Sequence, residues 1–185
     1  MNVIETAFDG HRFRSRTEAR WAVFFTAAGL RYEYEREGFD LGGRWYLPDF
    51  YLPNLGLWLE VKGADPTPEE VQLCRRLAVQ TGRDTLLAIG PPRPYDQLRW
   101  FKAKPGEWDD DMVLWHFADD RRNEREFWLL SESTTAAASI GPVRGPVHDR
   151  FPLVHAATRR AYDAAAGARF EHGETGMPST GSTSA

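Results

Sequence analysis

Apolar residues recur along this chain with two periods, and each change of period marks a change of element. From Ser15 onward, Trp21, Ala22, Phe24, Phe25 and Ala28 follow helical spacing, which predicts a helix capped by Ser15 and ended by Gly29. "LRYEYEREGFDL" then alternates as a strand does, with Tyr32 and Tyr34 on one face and Glu33 and Glu35 on the other. Gly42 and Gly43 mark a turn, and two further strands are expected, Trp45 to Leu52 and Leu57 to Lys62. "DPTPEEVQLCRRLAVQTG" opens a second helix, with Thr67 as N-cap, Pro68 at its first position and Glu69 and Glu70 behind. Gly82 suits its C-terminal cap, and "TLLAIG" is a short buried strand stopped by Pro91 and Pro92. The expected order is helix, three strands, helix, strand, with a right-handed parallel crossover around the second helix.

Further on, "MVLWHFADDRRNEREFWLLS" reads as a hairpin of Met112 to Phe117 with Glu126 to Leu130, which closes a first domain over 1–130. Residues 131–147, rich in Ser, Thr, Ala, Gly and Pro, read as a linker. "LVHAATRRAYDAAAGARF" supplies a helix to a C-terminal segment, 148–172. The low-complexity stretch 173–185 is expected to be a disordered tail, because it has too little apolar surface to offset the entropy of ordering.

With 185 residues and 42% hydrophobic content, the chain has enough material for one substantial core. Its longest apolar run, "AVFFTAAGL", is too short to span a bilayer, so no membrane role is expected. "MNVIETAFDG" has neither a basic start nor an apolar signal core, which points to a cytoplasmic setting. Cys74 is the sole cysteine, excluding an internal disulfide and a multi-cysteine zinc site. The five histidines lack metal-ligand spacing, and His116 in "LWHF" reads as structural. No phosphate-binding G-x-x-x-x-G-K loop and no G-x-S-x-G nucleophile turn is present. A net charge of −4 argues against a uniformly basic surface, yet "HRFRSRTEAR" gathers Arg12, Arg14, Arg16 and Arg20 in one short run. Such a local patch can supply phosphate contacts.

The stretch "YLPDFYLPNLGLWLEVKG" carries the chemistry. Pro53-Asn54-Leu55-Gly56 is its turn, and a hairpin centred between Asn54 and Leu55 sets Asp49 opposite Glu60, Leu47 opposite Lys62 and Tyr51 opposite Trp58. The other face pairs Pro48 with Val61, Phe50 with Leu59 and Leu52 with Leu57, all apolar. Two carboxylates with Cβ atoms roughly 5 Å apart repel across a strand pair. A divalent cation relieves that conflict, and two carboxylates with water ligands suit Mg²⁺. Lys62 projects to the same face, where its ammonium can hold a water or offset charge on a phosphate. The competing reading is a half-exposed sheet face on which Lys62 merely neutralises two acids.

Pro48-Asp49 and Glu60-Val61-Lys62 resemble the signature of the PD-(D/E)xK nuclease superfamily, and the expected element order is similar to its core. The likeness covers about residues 10–92 and is closest to small bacterial and phage-type nucleases with a "FRSRTEARWA"-like helix and "YEREGF" before the PDF strand. It implies an α/β, restriction-endonuclease-like fold with a mixed sheet, extended at the C-terminus by the hairpin and helix. It also implies metal-dependent hydrolysis of DNA phosphodiesters by an endonuclease. Asp49 and Glu60 would bind Mg²⁺ (or Mn²⁺), Lys62 would assist the attacking water, and Glu18 would complete the acidic site as a third metal ligand. Arg12, Arg14 and Arg16, beside the site helix, would grip the DNA backbone. The partner would be DNA, with a homodimer or a partner protein left open. The alternatives are a non-catalytic DNA-binding or assembly module that keeps the fold, and a hydrolase of a small phosphorylated substrate.

Glu18 has a second reading. Ser15-x-x-Glu18 is a capping box, in which the carboxylate would satisfy a backbone N–H at the helix start. Glu33, Glu35 and Glu37 read mainly as a solvated strand face, with Glu35 within reach of the site. Gln72, Arg75, Arg76 and Gln80 read as surface residues of the second helix, with Arg76 or Gln80 as optional site residues. Trp58 faces the side of Glu60, as a core residue or a platform for a base.

Overall fold

The computed structural model describes residues 6–94, 98–104, 114–120, 123–131 and 156–170. Its elements are β1 (Thr6–Phe8), β2 (His11–Phe13), α1 (Arg16–Ala28), β3 (Glu33–Tyr34), β4 (Phe39–Asp40), β5 (Trp45–Tyr46) and β6 (Phe50–Leu52). After these come β7 (Leu57–Lys62), α2 (Pro68–Thr81), β8 (Thr85–Ile89), β9 (Leu98–Phe101), β10 (Leu114–Asp120), β11 (Asn123–Ser131) and α3 (Ala156–Gly167). Seven strands form one sheet in the order β11-β10-β9-β8-β7-β6-β3. It is mixed. Only β7 and β8 run parallel, joined through α2, while the other neighbours are antiparallel. The two short pairs β1-β2 and β4-β5 stand apart from this sheet.

Both long helices begin and end where local chemistry requires. The Ser15 hydroxyl accepts the Glu18 N–H, and Gly29, at φ 74°, closes α1 in the left-handed region that glycine occupies without a Cβ penalty. On α2, Thr67 and Glu70 form a complete capping box around Pro68.

The strand alternation of β7 divides the core between two faces. Leu57, Leu59 and Val61 point into a cluster with Phe24 and Phe25 of α1 and with Tyr162 and Ala165 of α3. There the Phe24 and Tyr162 rings lie 4.6 Å apart, and Phe50 sits at the centre with Phe25 and Tyr34 each 5.4 Å away. On the opposite face Trp58 packs with Tyr51, Leu41 and, from α2, Leu73 and Leu77. Trp58 is only 2% exposed and donates to the Thr81 hydroxyl, so it is a core residue with no face free to stack on a base.

Three local differences from the sequence reading have physical causes. The single strand expected over "LRYEYEREGFDL" is two short ones, β3 and β4, because Glu35 adopts φ 46° and breaks the extended path. The strand expected over Trp45 to Leu52 divides into β5 and β6 around Leu47-Pro48-Asp49. Proline has no N–H for a ladder, and the Asp49 side chain accepts the Val61 N–H instead. The β6-β7 ladder therefore stops at Phe50–Leu59, and the expected Pro48–Val61 and Leu47–Lys62 ladder pairs do not form. The third is the β1-β2 hairpin, which turns at Asp9-Gly10 with positive φ at both residues. Asp-Gly is a strong hairpin signal that the helical pattern after Ser15 overshadowed.

The expected hairpin near the C-terminal end is present as the antiparallel pair β10-β11, with His116 opposite Leu130. α3 lies inside the expected 148–172 segment. Residues 132–147, within the expected linker, and the tail 173–185 lie outside the described residues. No helix among the described residues is long and apolar enough to cross a membrane.

Candidate active site

Four pieces of chain meet at one end of the central strands. β6 is entered through Asp49, β7 ends at Lys62, α1 begins at Ser15, and the turn after β3 contributes Glu35. The hairpin register holds, since Phe50, Tyr51 and Leu52 pair with Leu59, Trp58 and Leu57. It brings Asp49 beside Glu60, and both are only 3% exposed.

Backbone groups fix the two acids. The Asp49 N–H donates to Glu60 Oε2 at 3.3 Å, and the Val61 N–H donates to Asp49 Oδ2 at 2.7 Å. The Asp49 carbonyl in turn accepts the Glu35 N–H at 2.9 Å. Lys62, two residues beyond Glu60 on the same face, donates its ammonium to Glu60 Oε1 at 2.7 Å and lies 3.4 Å from Glu70 at the start of α2. Glu18, 6% exposed, accepts the Tyr34 hydroxyl at 2.6 Å and the Ser15 hydroxyl at 2.7 Å.

Only half of the expected capping box exists on α1. Ser15 caps the helix through the Glu18 N–H, but the Glu18 carboxylate accepts two hydroxyls, whereas that of Glu70 on α2 accepts the Thr67 backbone N–H as well as its hydroxyl. Its charge is left facing the other acids.

The electrostatics follow from that crowding. Burial pushes the Asp49 carboxyl well above its usual range, and Glu60 and then Glu18 push it further; the Val61 N–H and Arg14 only partly oppose them. For Lys62 burial works downward, yet Glu60, Asp49 and Glu70 outweigh it and hold the ammonium above its ordinary value. Lys62 is therefore a cation at neutral pH. Burial, followed by Glu60, raises the Cys74 thiol to about 12, so this lone cysteine beneath the site is not a reactive thiolate.

Arg14 was expected on a DNA-gripping surface, and it stands inside the cluster. Its Nη2 donates to Asp49 Oδ1 at 2.7 Å, and its Nε lies 2.6 Å from Glu35 Oε1. Its backbone N–H donates to the Tyr34 hydroxyl at 3.0 Å. Arg12 is exposed on β2, and Arg16 is the first residue of α1. Arg76 donates to the Leu41 carbonyl and, with Arg75 and Gln80, lines a recess beside Gly42 and Val79. Glu33 and Glu37 pair with Arg36 instead of the cluster. Tyr34 and the Arg14–Asp49 pair are among the site contacts that the pattern did not single out. Tyr34 read only as the apolar side of a strand, and no spacing rule ties Arg14 to Asp49 across 35 positions of sequence.

The donor set tests the expected metal. Asp49, Glu60, Glu18 and Glu35 converge against two cations, Arg14 and Lys62, and a hard divalent ion with oxygen preference suits such an excess. Each Asp49 oxygen has one described N–H donor and retains a lone pair for a cation. Among the described residues no group of three or more His, Cys, Asp or Glu side chains is placed to hold a metal ion, so the expected third ligand, Glu18, does not stand with Asp49 and Glu60 as a ready-made metal-binding set. The arrangement thus fits an ion held by Asp49 and Glu60 with water completing its shell.

Comparison with protein-family models, with curated proteins and with solved structures gives no match to this chain.

Proposed function

We propose that this chain is a divalent-metal-dependent DNA phosphodiester hydrolase with a restriction-endonuclease-like core, acting as an endonuclease. The observation that carries the proposal is the burial of Asp49 and Glu60 side by side, with Lys62 on the same strand as Glu60. Buried like charges are costly unless they are put to use or neutralised, and a metal-binding site supplies both reasons. The sequence resemblance at Pro48-Asp49 and Glu60-Val61-Lys62 points the same way.

Asp49 and Glu60 would hold Mg²⁺, or Mn²⁺ in its place, with Glu18 behind them as the third acid. The ion, when bound, supplies Lewis-acid polarisation of a phosphoryl oxygen and a more acidic water. Lys62, protonated in the cluster, orients the attacking water or offsets charge on the phosphate; a charged ammonium is not the base that takes the water's proton. Ser15 and Tyr34 hold the Glu18 carboxylate in place. Arg12 and Arg16 remain candidates for the DNA backbone.

The second reading is a DNA-binding or assembly module without catalysis. One observation favours it: both Asp49 oxygens already have internal donors, as in a self-contained charge cluster. Incubation with supercoiled, linear and single-stranded DNA, with and without Mg²⁺, tests the choice. Metal-stimulated cleavage that Glu60→Ala removes supports the hydrolase. Salt-dependent DNA binding with no cleavage in any metal supports the module.

A further inference from the structure

Among the described residues, Arg14 is the one side chain that joins Asp49 to Glu35. Its guanidinium spans the two, 2.7 Å from Asp49 Oδ1 and 2.6 Å from Glu35 Oε1. The two ends differ in kind. At Asp49 the contact is a directed hydrogen bond to an acid that is 3% exposed. At Glu35 it is a charge contact without hydrogen-bond alignment, and the buried Oε1 has no hydrogen-bond donor among the described residues. Glu35 therefore has unused acceptor capacity directed at the guanidinium. It holds that position in a left-handed backbone conformation, φ 46°, which is strained for a non-glycine residue. More than half of the Arg14 side chain remains exposed, so the guanidinium has room to turn toward solvent.

We propose that Arg14 is a built-in counter-cation for the acidic cluster, which a divalent metal ion displaces from Asp49 and which Glu35 then retains. The inference rests on the metal-dependent reading of the site. A metal ion taking the remaining lone pairs of Asp49 would stand beside the guanidinium at Oδ1, and two cations at one carboxylate repel. Without metal, Arg14 keeps four converging carboxylates from facing one another with Lys62 as their only cation. With metal, the second cation becomes redundant at Asp49, and Glu35 with its spare acceptor capacity is its nearest resting place. Arg14 accordingly sets the metal affinity: it weakens binding in exchange for a metal-free cluster that stays assembled.

Mn²⁺ binding to the full chain without DNA, followed by the paramagnetic signal of the free ion, tests this apart from any activity. Arg14→Gln is expected to bind Mn²⁺ about tenfold more tightly than the wild type, equivalent to about 1.4 kcal/mol. Glu35→Gln is expected to bind it more weakly, because the displaced guanidinium loses its resting place. In the Arg14→Gln background the Glu35→Gln change should have little effect, since its influence passes through Arg14. Should Arg14→Gln fold only when Mn²⁺ is added, the ion has replaced the guanidinium, as expected. Unchanged or weaker Mn²⁺ binding in Arg14→Gln overturns the proposal, as does failure of that variant to fold at saturating Mn²⁺. A Glu35→Gln effect of equal size in both backgrounds also overturns it, since it would be a simple field effect. If the wild type shows no Mn²⁺ binding that Asp49→Asn weakens, the metal-dependent reading falls as well.

Discussion

The backbone N–H of Asp49 donates to the Glu60 carboxylate at 3.3 Å, so the segment that carries one acid also holds the other. The Val61 N–H donates to Asp49 in turn, so each acid has a backbone donor beside its flexible side-chain partner. Substitutions that keep shape and remove charge should therefore separate chemistry from folding. Asp49→Asn and Glu60→Gln are expected to lower metal-dependent DNA cleavage by about 10²–10³-fold, the scale of losing one electrostatic stabiliser. Their melting temperatures in metal-free buffer at neutral pH should equal or exceed the wild type, because each removes one of several converging charges. A nicking assay beside thermal melts measures both, and wild-type-like cleavage by either variant refutes the assignment.

The Asp49 carboxyl also makes a prediction about pH. Burial, Glu60 and Glu18 raise it in the folded state above the ordinary value of 3.8 that it has in the unfolded chain. The folded protein thus binds its proton more tightly, and stability must fall as pH rises. The contribution is complete below about 3.8 and is lost as pH climbs through the raised folded value. Other groups titrate over the same range, so the quantity to follow is the difference between wild type and Asp49→Asn. In metal-free buffer that difference should move against the wild type as pH increases from 4 toward neutrality. A difference that is flat, or that moves in favour of the wild type, contradicts the buried and crowded state of Asp49.

Lys62 behaves differently from the acids, because it balances charge and does not add to the excess. Lys62→Met leaves Glu60 with the Asp49 N–H but without its ammonium. Loss of a hydrogen bond to a charged group costs about 1.5–3 kcal/mol, which should appear in a denaturant titration of the metal-free protein. Cleavage should fall with it and should not recover when Mg²⁺ restores the melting temperature. Recovery of both together would reduce Lys62 to a structural counter-ion.

Much of this site was legible because strand geometry is strict. Once Pro53-Asn54-Leu55-Gly56 was read as a turn, a period of two left only one register that buried Phe50, Leu52, Leu57 and Leu59 together. That register brought Asp49 to Glu60. The same logic failed where backbone conformation departs from the regular one. Glu35 at φ 46° ends β3 early, and no alternation of Tyr and Glu in "YEYERE" signals it. It also failed for Arg14, whose short run of arginines looks like a solvated surface until the fold brings Asp49 and Glu35 to it. Trp58 was open to two readings, and the core one holds. Its place beside Glu60 suggested a platform for bases, but α2 covers that face and supplies Thr81 as a partner for the indole N–H.

In Glu18 the cap and site readings meet in one residue. Ser15 performs the cap by accepting the Glu18 N–H, a bond that does not involve the carboxylate. The carboxylate accepts two hydroxyls, from Ser15 and Tyr34, and faces the acids with its charge. Glutamine keeps the backbone bond and one good acceptor, so Glu18→Gln should cost about 1 kcal/mol or less in stability. It removes the negative charge, so metal affinity and cleavage should fall even though α1 remains capped. Ser15→Ala reverses the pattern, lowering stability by about 0.5–2 kcal/mol while the acid and its charge remain. Tyr34→Phe lies between them, since its hydroxyl donates to Glu18 and accepts the Arg14 N–H. It should cost about 1 kcal/mol for each bond and loosen Glu18 without removing its charge. Mn²⁺ titration, thermal melts and a cleavage assay on these three variants separate the roles. If Glu18→Gln binds Mn²⁺ and cleaves DNA as the wild type does, Glu18 is not part of the acidic site, and its burial beside Tyr34 serves only the join between α1 and β3.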